Sequence, residues 1–280
     1  MTRLDDAVVD IDWLAARLGD VRVVDASWYL PGMGRDAEAE FREAHIPGAV
    51  RFDIDAIADT SSALPHMLAA PERFAAMVGA LGVADDDTIV VYDGMGAFSA
   101  PRVVWNLRIM GADRAHLLDG GLPAWREAGH ATEAGRPASV EPRTFRPRFD
   151  ADAVLSLAEM RALPAEVQVV DARPRDRYTG ETPEPREGMR SGHVPGSLSL
   201  PFTAVQRDGR LLDAGALREA FEAAGVDLSR PIATTCGSGV TAATLAIAAA
   251  RAGGSARVYD GSWSEWGGRD DTPVRTGETP

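Results

Sequence analysis

Four segments of this 280-residue chain occur twice, in the same order. Val23-Val-Asp-Ala26 recurs as Val169-Val-Asp-Ala172, and His45-Ile-Pro-Gly-Ala49 recurs as His193-Val-Pro-Gly-Ser197. Ile89-Val-Val-Tyr-Asp93 aligns with Ile232-Ala-Thr-Thr-Cys236, and Leu118-Asp-Gly-Gly-Leu-Pro-Ala-Trp125 with Tyr259-Asp-Gly-Ser-Trp-Ser-Glu-Trp266. The separations are 146, 148, 143 and 141 residues, so the copies differ only by small loop changes. A period this long is far beyond a solenoid repeat and means a duplicated domain.

Each half alternates short β-branched runs with helical patterns. In the first half the pattern predicts strands at 21–25, 49–53, 88–93 and 115–119. It predicts helices at 10–18, 71–81, 100–110 and 122–128, with Pro71 in a first turn, where its missing N–H costs nothing. Such alternation indicates an α/β fold, a mostly parallel sheet covered by helices on both faces, present here in two tandem copies. The stretch 131–150 contains Pro137, Pro142 and Pro147 without apolar periodicity and reads as a linker. The expected organisation is a first domain at 1–130, that linker, and a second domain at 151–280.

Duplication also separates structure from function. A feature present in both halves is read as structural, so His45 and His193 are turn or packing residues. Cys236, the only cysteine, is present in one half alone, and Asp93 stands in its place in the other. Pro231-Ile-Ala-Thr-Thr-Cys236 reads as a short buried strand, Gly237-Ser-Gly239 as a turn, and Val240–Ala250 as a helix. Ligands of parallel sheets bind beyond the carboxyl ends of the strands, where Cys236 lies. Backbone N–H groups at the helix start have no intrahelical partners and stabilise an anion, and the thiolate is the nucleophilic form of cysteine. A lone cysteine can also be a small core residue; the strand–Cys–Gly-x-Gly–helix setting favours the reactive thiol. The first half keeps the loop but not the thiol chemistry, so one half is expected to be catalytic and the other to complete the site.

Composition limits the partners. Hydrophobic residues make up 45% and charged residues 25%, ordinary for a soluble globular chain. The formal net charge of −13, from 29 basic and 42 acidic residues, argues against nucleic acid or an anionic membrane as a partner. An anionic substrate would have to be captured by local arginines against that field. One cysteine permits no intrachain disulfide, no 18-residue apolar run exists, and the N-terminus has no apolar signal core, so a cytoplasmic protein is expected. Five scattered histidines and no paired Cys/His spacing point to neither a metal nor another cofactor.

Cys236-Gly-Ser-Gly-Val-Thr-Ala242 resembles the active-site loop of tandem-rhodanese sulfurtransferases, in particular their 3-mercaptopyruvate branch. The segments Asp25-Ala-Ser-Trp-Tyr-Leu-Pro31, Phe52-Asp-Ile-Asp55, His66-Met-Leu68, Ser99-Ala-Pro-Arg102, Glu184-Pro-Arg-Glu-Gly188 and Tyr259-Asp-Gly-Ser-Trp263 extend the resemblance over nearly the whole chain. It implies two rhodanese-like domains and a ping-pong reaction. The Cys236 thiolate would take sulfur from 3-mercaptopyruvate, release pyruvate, and pass the sulfur to an acceptor thiol, such as that of a thioredoxin-like protein, or to cyanide. The resemblance also implies a proton relay of Ser238, His66 and Asp55, and a persulfide held by the loop of Gly237, Gly239, Val240 and Thr241. Read locally, His66 in Leu64-Pro-His-Met-Leu68 is equally a surface-loop residue.

By the same resemblance Arg177 and Arg186 bind the substrate carboxylate. Read alone, arginines in a polar loop are merely solvated, although a guanidinium grips a carboxylate through two hydrogen bonds. Some relatives carry a further arginine where this chain has Thr179. The thiosulfate branch usually carries Arg-Lys directly after the cysteine, whereas here Gly237 and Ser238 follow, so thiosulfate is the alternative donor. A cysteine phosphatase would need an arginine six residues after Cys236, where Ala242 stands. A non-catalytic binding module of the same fold is the remaining alternative, and the intact Cys236 loop argues against it.

Overall fold

The computed structural model describes residues 2–136 and 140–279. The first domain contains β1 (Val8–Val9), α1 (Ile11–Ala15), β2 (Arg22–Asp25), α2 (Ala37–Glu43), β3 (Val50–Arg51), α3 (Pro71–Ala80), β4 (Ile89–Tyr92), α4 (Ala100–Ile109), β5 (Ala115–Leu118) and α5 (Gly121–Glu127). The second contains β6 (Val154–Leu155), α6 (Leu157–Arg161), β7 (Gln168–Asp171), α7 (Arg175–Thr179), β8 (Leu198–Ser199), a hairpin of β9 (Gln206–Arg207) and β10 (Arg210–Leu211), α8 (Ala214–Ala223), β11 (Ile232–Thr235), α9 (Val240–Ala252), β12 (Ala256–Tyr259) and α10 (Ser262–Trp266). The sheet orders are β1-β5-β4-β2-β3 and β6-β12-β11-β7-β8, with every neighbouring pair parallel. The duplication in sequence is thus a duplication in topology.

Period-2 alternation explains the layering. Val24, Ile89 and Val91 face a core that includes Phe74 of α3 and Leu107 of α4. Val23, Val90 and Tyr92 face the opposite core, with Ile11 of α1, Phe41 of α2 and Trp125 of α5. Each sheet therefore buries both faces, which is why its strands are continuously apolar. The core on the α3/α4 side does not end at the domain boundary. It continues through α4 into α9, and the two helices that follow the Asp93 and Cys236 loops pack on each other. Helix α9 is buried almost all round, as its run of alanines, Leu245 and Ile247 requires.

Among its described residues the linker is an extended strap. His45 bridges Glu133, the Arg143 N–H donates to the Gly79 carbonyl at 2.8 Å, and the Arg148 N–H donates to that of Met110 at 2.8 Å. Phe145 is buried edge-on against Phe74. Pro137 lies outside the described residues. His45 and His193 are packed alike: each is buried, donates Nδ1–H to a main-chain carbonyl, and stacks on the ring of Phe41 or Tyr178 respectively.

Candidate active site

Cys236 lies at the carboxyl end of β11, buried, at the inner end of a cavity of about 300 Å³ between the domains. Its loop is fixed from behind: the Cys236 N–H donates to Ser262 Oγ at 3.2 Å, and its carbonyl accepts the Trp263 N–H at 2.9 Å. Gly239 caps α9 with φ +79°, and a Cβ there would stand 2.9 Å from both Arg102 Nη1 and the Asp260 carbonyl. Glycine is required on both counts. The loop leads directly into the N-terminus of α9, whose unpaired N–H groups and positive dipole end favour an anion.

The first domain shows what such a loop does with a built-in anion. The Asp93 carboxylate, in the place of the cysteine, accepts the N–H groups of Met95 at 2.8 Å, Phe98 at 2.9 Å, Ser99 at 2.9 Å and Ala100 at 2.8 Å. The β9–β10 hairpin of the second domain covers this loop, with Gly209 packed directly on Gly96 and the Leu211 N–H on Asp119 at 2.8 Å. Replacing Asp93 by alanine removes the acceptor and leaves buried donors unpaired, at about 1–3 kcal/mol each unless water replaces it. Asp93→Ala should therefore destabilise the fold by about 3 kcal/mol. Urea unfolding checks this, and a loss below about 1 kcal/mol would contradict it.

Three of the residues expected to form a relay come together. Ser238 Oγ is 2.9 Å from His66 Nδ1, and His66 Nε2 is 3.0 Å from Asp55 Oδ1. Ser238 and His66 are buried while Asp55 faces solvent on one side. The ring N–H of His66 holds the Asp55 carboxyl below the usual carboxylate range. That ionised oxygen is an acceptor only, so His66 donates to it through Nε2 and presents Nδ1 to Ser238. Trp28, which sequence reasoning did not single out, closes the arrangement. Its indole N–H donates to Asp55 Oδ2 at 3.0 Å and its ring packs edge-on against His66. Ser238 comes from the second domain, and the rest from the first.

The arginines divide. Arg177 Nε donates to Glu184 Oε1 at 3.2 Å and Nη2 to Oε2, so its fork is already taken by a carboxylate. The Glu184 side chain is buried and pairs also with Arg173, which is itself held by Asp171 and stacked over Trp263. Among the described residues Arg186 forms neither a hydrogen bond nor a close ion pair. Burial holds its pKa below the usual arginine value, with Cys236 acting in the opposite sense. Its guanidinium lines the same cavity as the sulfur. Thr179 does not face the cavity: it is buried, with Oγ1 donating to the Asp176 carbonyl at 3.1 Å. Gly237, Val240 and Thr241 line the cavity with Cys236, and its opposite wall is apolar, formed by Trp28, Met95, Phe98 and Phe202.

A buried thiol at the start of a helix, with the Ser238–His66–Asp55 hydrogen bonds behind it and the Arg186 guanidinium lining the same cavity, is an arrangement suited to an enzyme that carries a group on cysteine sulfur. A family model, the rhodanese-like domain, matches residues 10–128 and again 156–269. The chain is 41% identical to 3-mercaptopyruvate sulfurtransferase of Escherichia coli K12, covering 95% of this chain and 96% of that protein. It is 40% identical to a thiosulfate sulfurtransferase of Cricetulus griseus, covering 93% and 91%. Among solved structures, SseA from Escherichia coli, described as a 3-mercaptopyruvate sulfotransferase, superposes with a TM-score of 0.85 at 38% identity, over 92% of this chain and 98% of that one. The chain belongs to the rhodanese family, with two rhodanese-like domains in tandem, and is a sulfurtransferase.

Proposed function

We propose that this sulfurtransferase takes its sulfur from 3-mercaptopyruvate and that Cys236, Ser238, His66 and Asp55 carry the reaction. The Cys236 thiolate attacks the thiol sulfur of the donor, an S–S bond forms, and the C–S bond breaks. The electron pair leaves as pyruvate enolate, which must gain a proton at carbon. In the imidazolium form His66 Nδ1–H donates to Ser238 Oγ while Ser238 passes its own hydrogen to the enolate. The persulfide first formed on Cys236 carries the donor's S–H hydrogen; passing that proton back through Ser238 to the now neutral His66 resets the imidazolium and leaves an anion at the amide-lined loop, stabilised as an oxyanion hole stabilises charge. An acceptor thiolate then attacks the outer sulfur and returns the Cys236 thiolate. A thioredoxin-like protein is the acceptor class we favour, and the apolar wall of the cavity suits a protein cysteine approaching with apolar neighbours.

The observation that carries the donor assignment is the uncharged loop, in which the Ser238 hydroxyl backed by His66 stands where a thiosulfate enzyme would place cations. Thiosulfate is a compact dianion whose leaving sulfite needs no proton, whereas the mercaptopyruvate enolate does. Sequence identity does not discriminate, since relatives named for each donor match equally well. The test is kcat/KM for both donors with cyanide as acceptor. Mercaptopyruvate should be favoured by at least about tenfold, or ~1.4 kcal/mol of differential transition-state binding. A preference for thiosulfate would overturn the donor and leave the persulfide chemistry standing.

The first domain, at about 1–130 in this reading, makes no persulfide because Asp93 replaces the thiol; it supplies His66 and Asp55, and the catalytic domain spans about 151–280. Arg186 binds the donor carboxylate, and Arg177, tied to Glu184, shapes its surroundings. Arg186→Ala should therefore lower kcat/KM for mercaptopyruvate roughly 10- to 100-fold, mostly through KM, as expected for loss of a charge-assisted contact. Unchanged kcat/KM would move the carboxylate elsewhere. No described helix is long and apolar enough to cross a membrane. A free thiol that must cycle through a persulfide suits a reducing compartment, so we assign the chain to the cytoplasm.

A further inference from the structure

Arg102 lies in the first turn of α4, fully buried, and its guanidinium reaches across the domain interface. Nη2 donates to the Asp260 carboxylate of the second domain at 2.5 Å and to the main-chain carbonyl of His66 at 2.8 Å. Nη1 donates to the carbonyl of Gly239, in the cysteine loop, at 3.4 Å. Trp105 supports the guanidinium from one side, 4.6 Å from ring centroid to Cζ. The second oxygen of Asp260 accepts the Leu68 N–H at 2.9 Å. The pair thus brackets His66: Arg102 holds its carbonyl, and Asp260 holds the N–H two residues on.

His66 needs such support. Its φ is +59°, a left-handed conformation that non-glycine residues adopt only where surrounding contacts over-determine it. The relay also crosses the interface, so the 2.9 Å contact of His66 with Ser238 depends on how the domains register. Arg102 touches both sides of that contact, the His66 backbone in one domain and the loop residue after Ser238 in the other. A buried ion pair adds little net stability over apolar side chains of the same volume, so this pair is better explained by the geometry it fixes. The planar fork reaches three acceptors in two domains from two fixed nitrogens, whereas the ammonium of a lysine would have to reach all three from a single point.

We propose that Arg102 and Asp260 are an interdomain positioning pair that sets the His66 backbone against the cysteine loop and so holds the proton relay in working geometry. This rests on the mercaptopyruvate reading above. The test uses the full chain as wild type, Arg102→Lys, Asp260→Asn, Ser238→Ala and the Arg102→Lys/Ser238→Ala double variant. Two half-reactions are followed: loading of Cys236 by 3-mercaptopyruvate, and discharge of a preformed persulfide by cyanide, which needs no proton delivered to a leaving carbon.

Arg102→Lys should lower kcat for loading at least about tenfold, with little change in KM, because misplacing a reacting group by an ångström can cost about a hundredfold. Cyanide discharge should stay within about threefold of wild type, and adding Arg102→Lys to Ser238→Ala should cost almost nothing more, since both act on one unit. Asp260→Asn keeps the shape but only one acceptor oxygen, so either Arg102 or the Leu68 N–H loses its partner; it should show the same pattern, and it carries the test if the lysine variant does not fold. Equal losses in both half-reactions, or additive losses in the double variant, would show a general packing role and overturn the proposal. If Ser238→Ala loads at the wild-type rate, the relay itself is wrong and the positioning role falls with it. If Ser238→Ala is impaired while both Arg102→Lys and Asp260→Asn load normally, only the positioning pair is refuted.

Discussion

Replacing Cys236 by serine should abolish sulfur transfer while leaving the fold intact. The serine hydroxyl is a far weaker nucleophile than a thiolate and forms no sulfane bond that an acceptor can discharge. The loop loses nothing structural by the exchange, because Cys236 is fixed through its main chain, to Ser262 and Trp263, and its sulfur makes no hydrogen bond among the described residues. The urea midpoint should therefore stay close to that of wild type. Mass spectrometry of the donor-treated wild type should find one added sulfur atom on Cys236, removed again by cyanide. With a single cysteine in the chain there is no second thiol to take over, so residual transfer at the wild-type rate in the serine variant would end the persulfide mechanism. The contrast with Asp93 sharpens this. Where the first domain has a carboxylate, its loop N–H groups are filled by that carboxylate, and it has no group to exchange.

Much of the architecture is legible in the sequence because the chain states it twice. The strands expected at 21–25, 88–93 and 115–119 are β2, β4 and β5 to within a residue or two, since central strands are continuous apolar runs. Elements that pack weakly are not legible. Strand β1 is only two residues and merges with the helical pattern after it. Helix α2, Ala-Glu-Ala-Glu-Phe-Arg-Glu, buries only Phe41, so it has no apolar stripe; Asp36 starts it by accepting the N–H groups of Glu38 and Ala39. The helix expected at 10–18 stops at Ala15, where a turn takes over.

The site divides the same way. Cys236 and Ser238 are contiguous with a strand–turn–helix pattern and can be read locally. His66 and Asp55 reach Ser238 across 172 residues of sequence and emerged only through resemblance to a family. Arg102 and Asp260, 158 residues apart, lay inside segments quoted for that resemblance, yet nothing local distinguishes them from solvated charges. The same holds for Glu184, which occupies Arg177 and leaves Arg186, unpaired among the described residues, lining the cavity. Pairing of this kind is a property of the folded interface and has no periodicity to betray it.

Removing the His66 ring should separate the two sulfur donors. His66→Ala leaves Cys236, Arg186 and the loop amides in place but deprives Ser238 of the partner that replaces its proton. General acid catalysis contributes typically about 100- to 10,000-fold, so loading by mercaptopyruvate should fall by roughly 100-fold or more in kcat. Loading by thiosulfate should fall less than about tenfold, because sulfite departs as a stable anion and uses no general acid. A change in KM for mercaptopyruvate is expected to be small, since His66 lies behind Ser238 and the proposed grip on the carboxylate belongs to Arg186. The Asp55→Asn variant is the control for orientation. An amide in place of the carboxylate can still accept from His66 Nε2–H but no longer stabilises the imidazolium, so it should show the same donor dependence at a smaller magnitude. Equal losses with both donors would mean that His66 serves the thiol or the persulfide itself. The proton delivered to the enolate would then have to come from another source, the persulfide S–H or water.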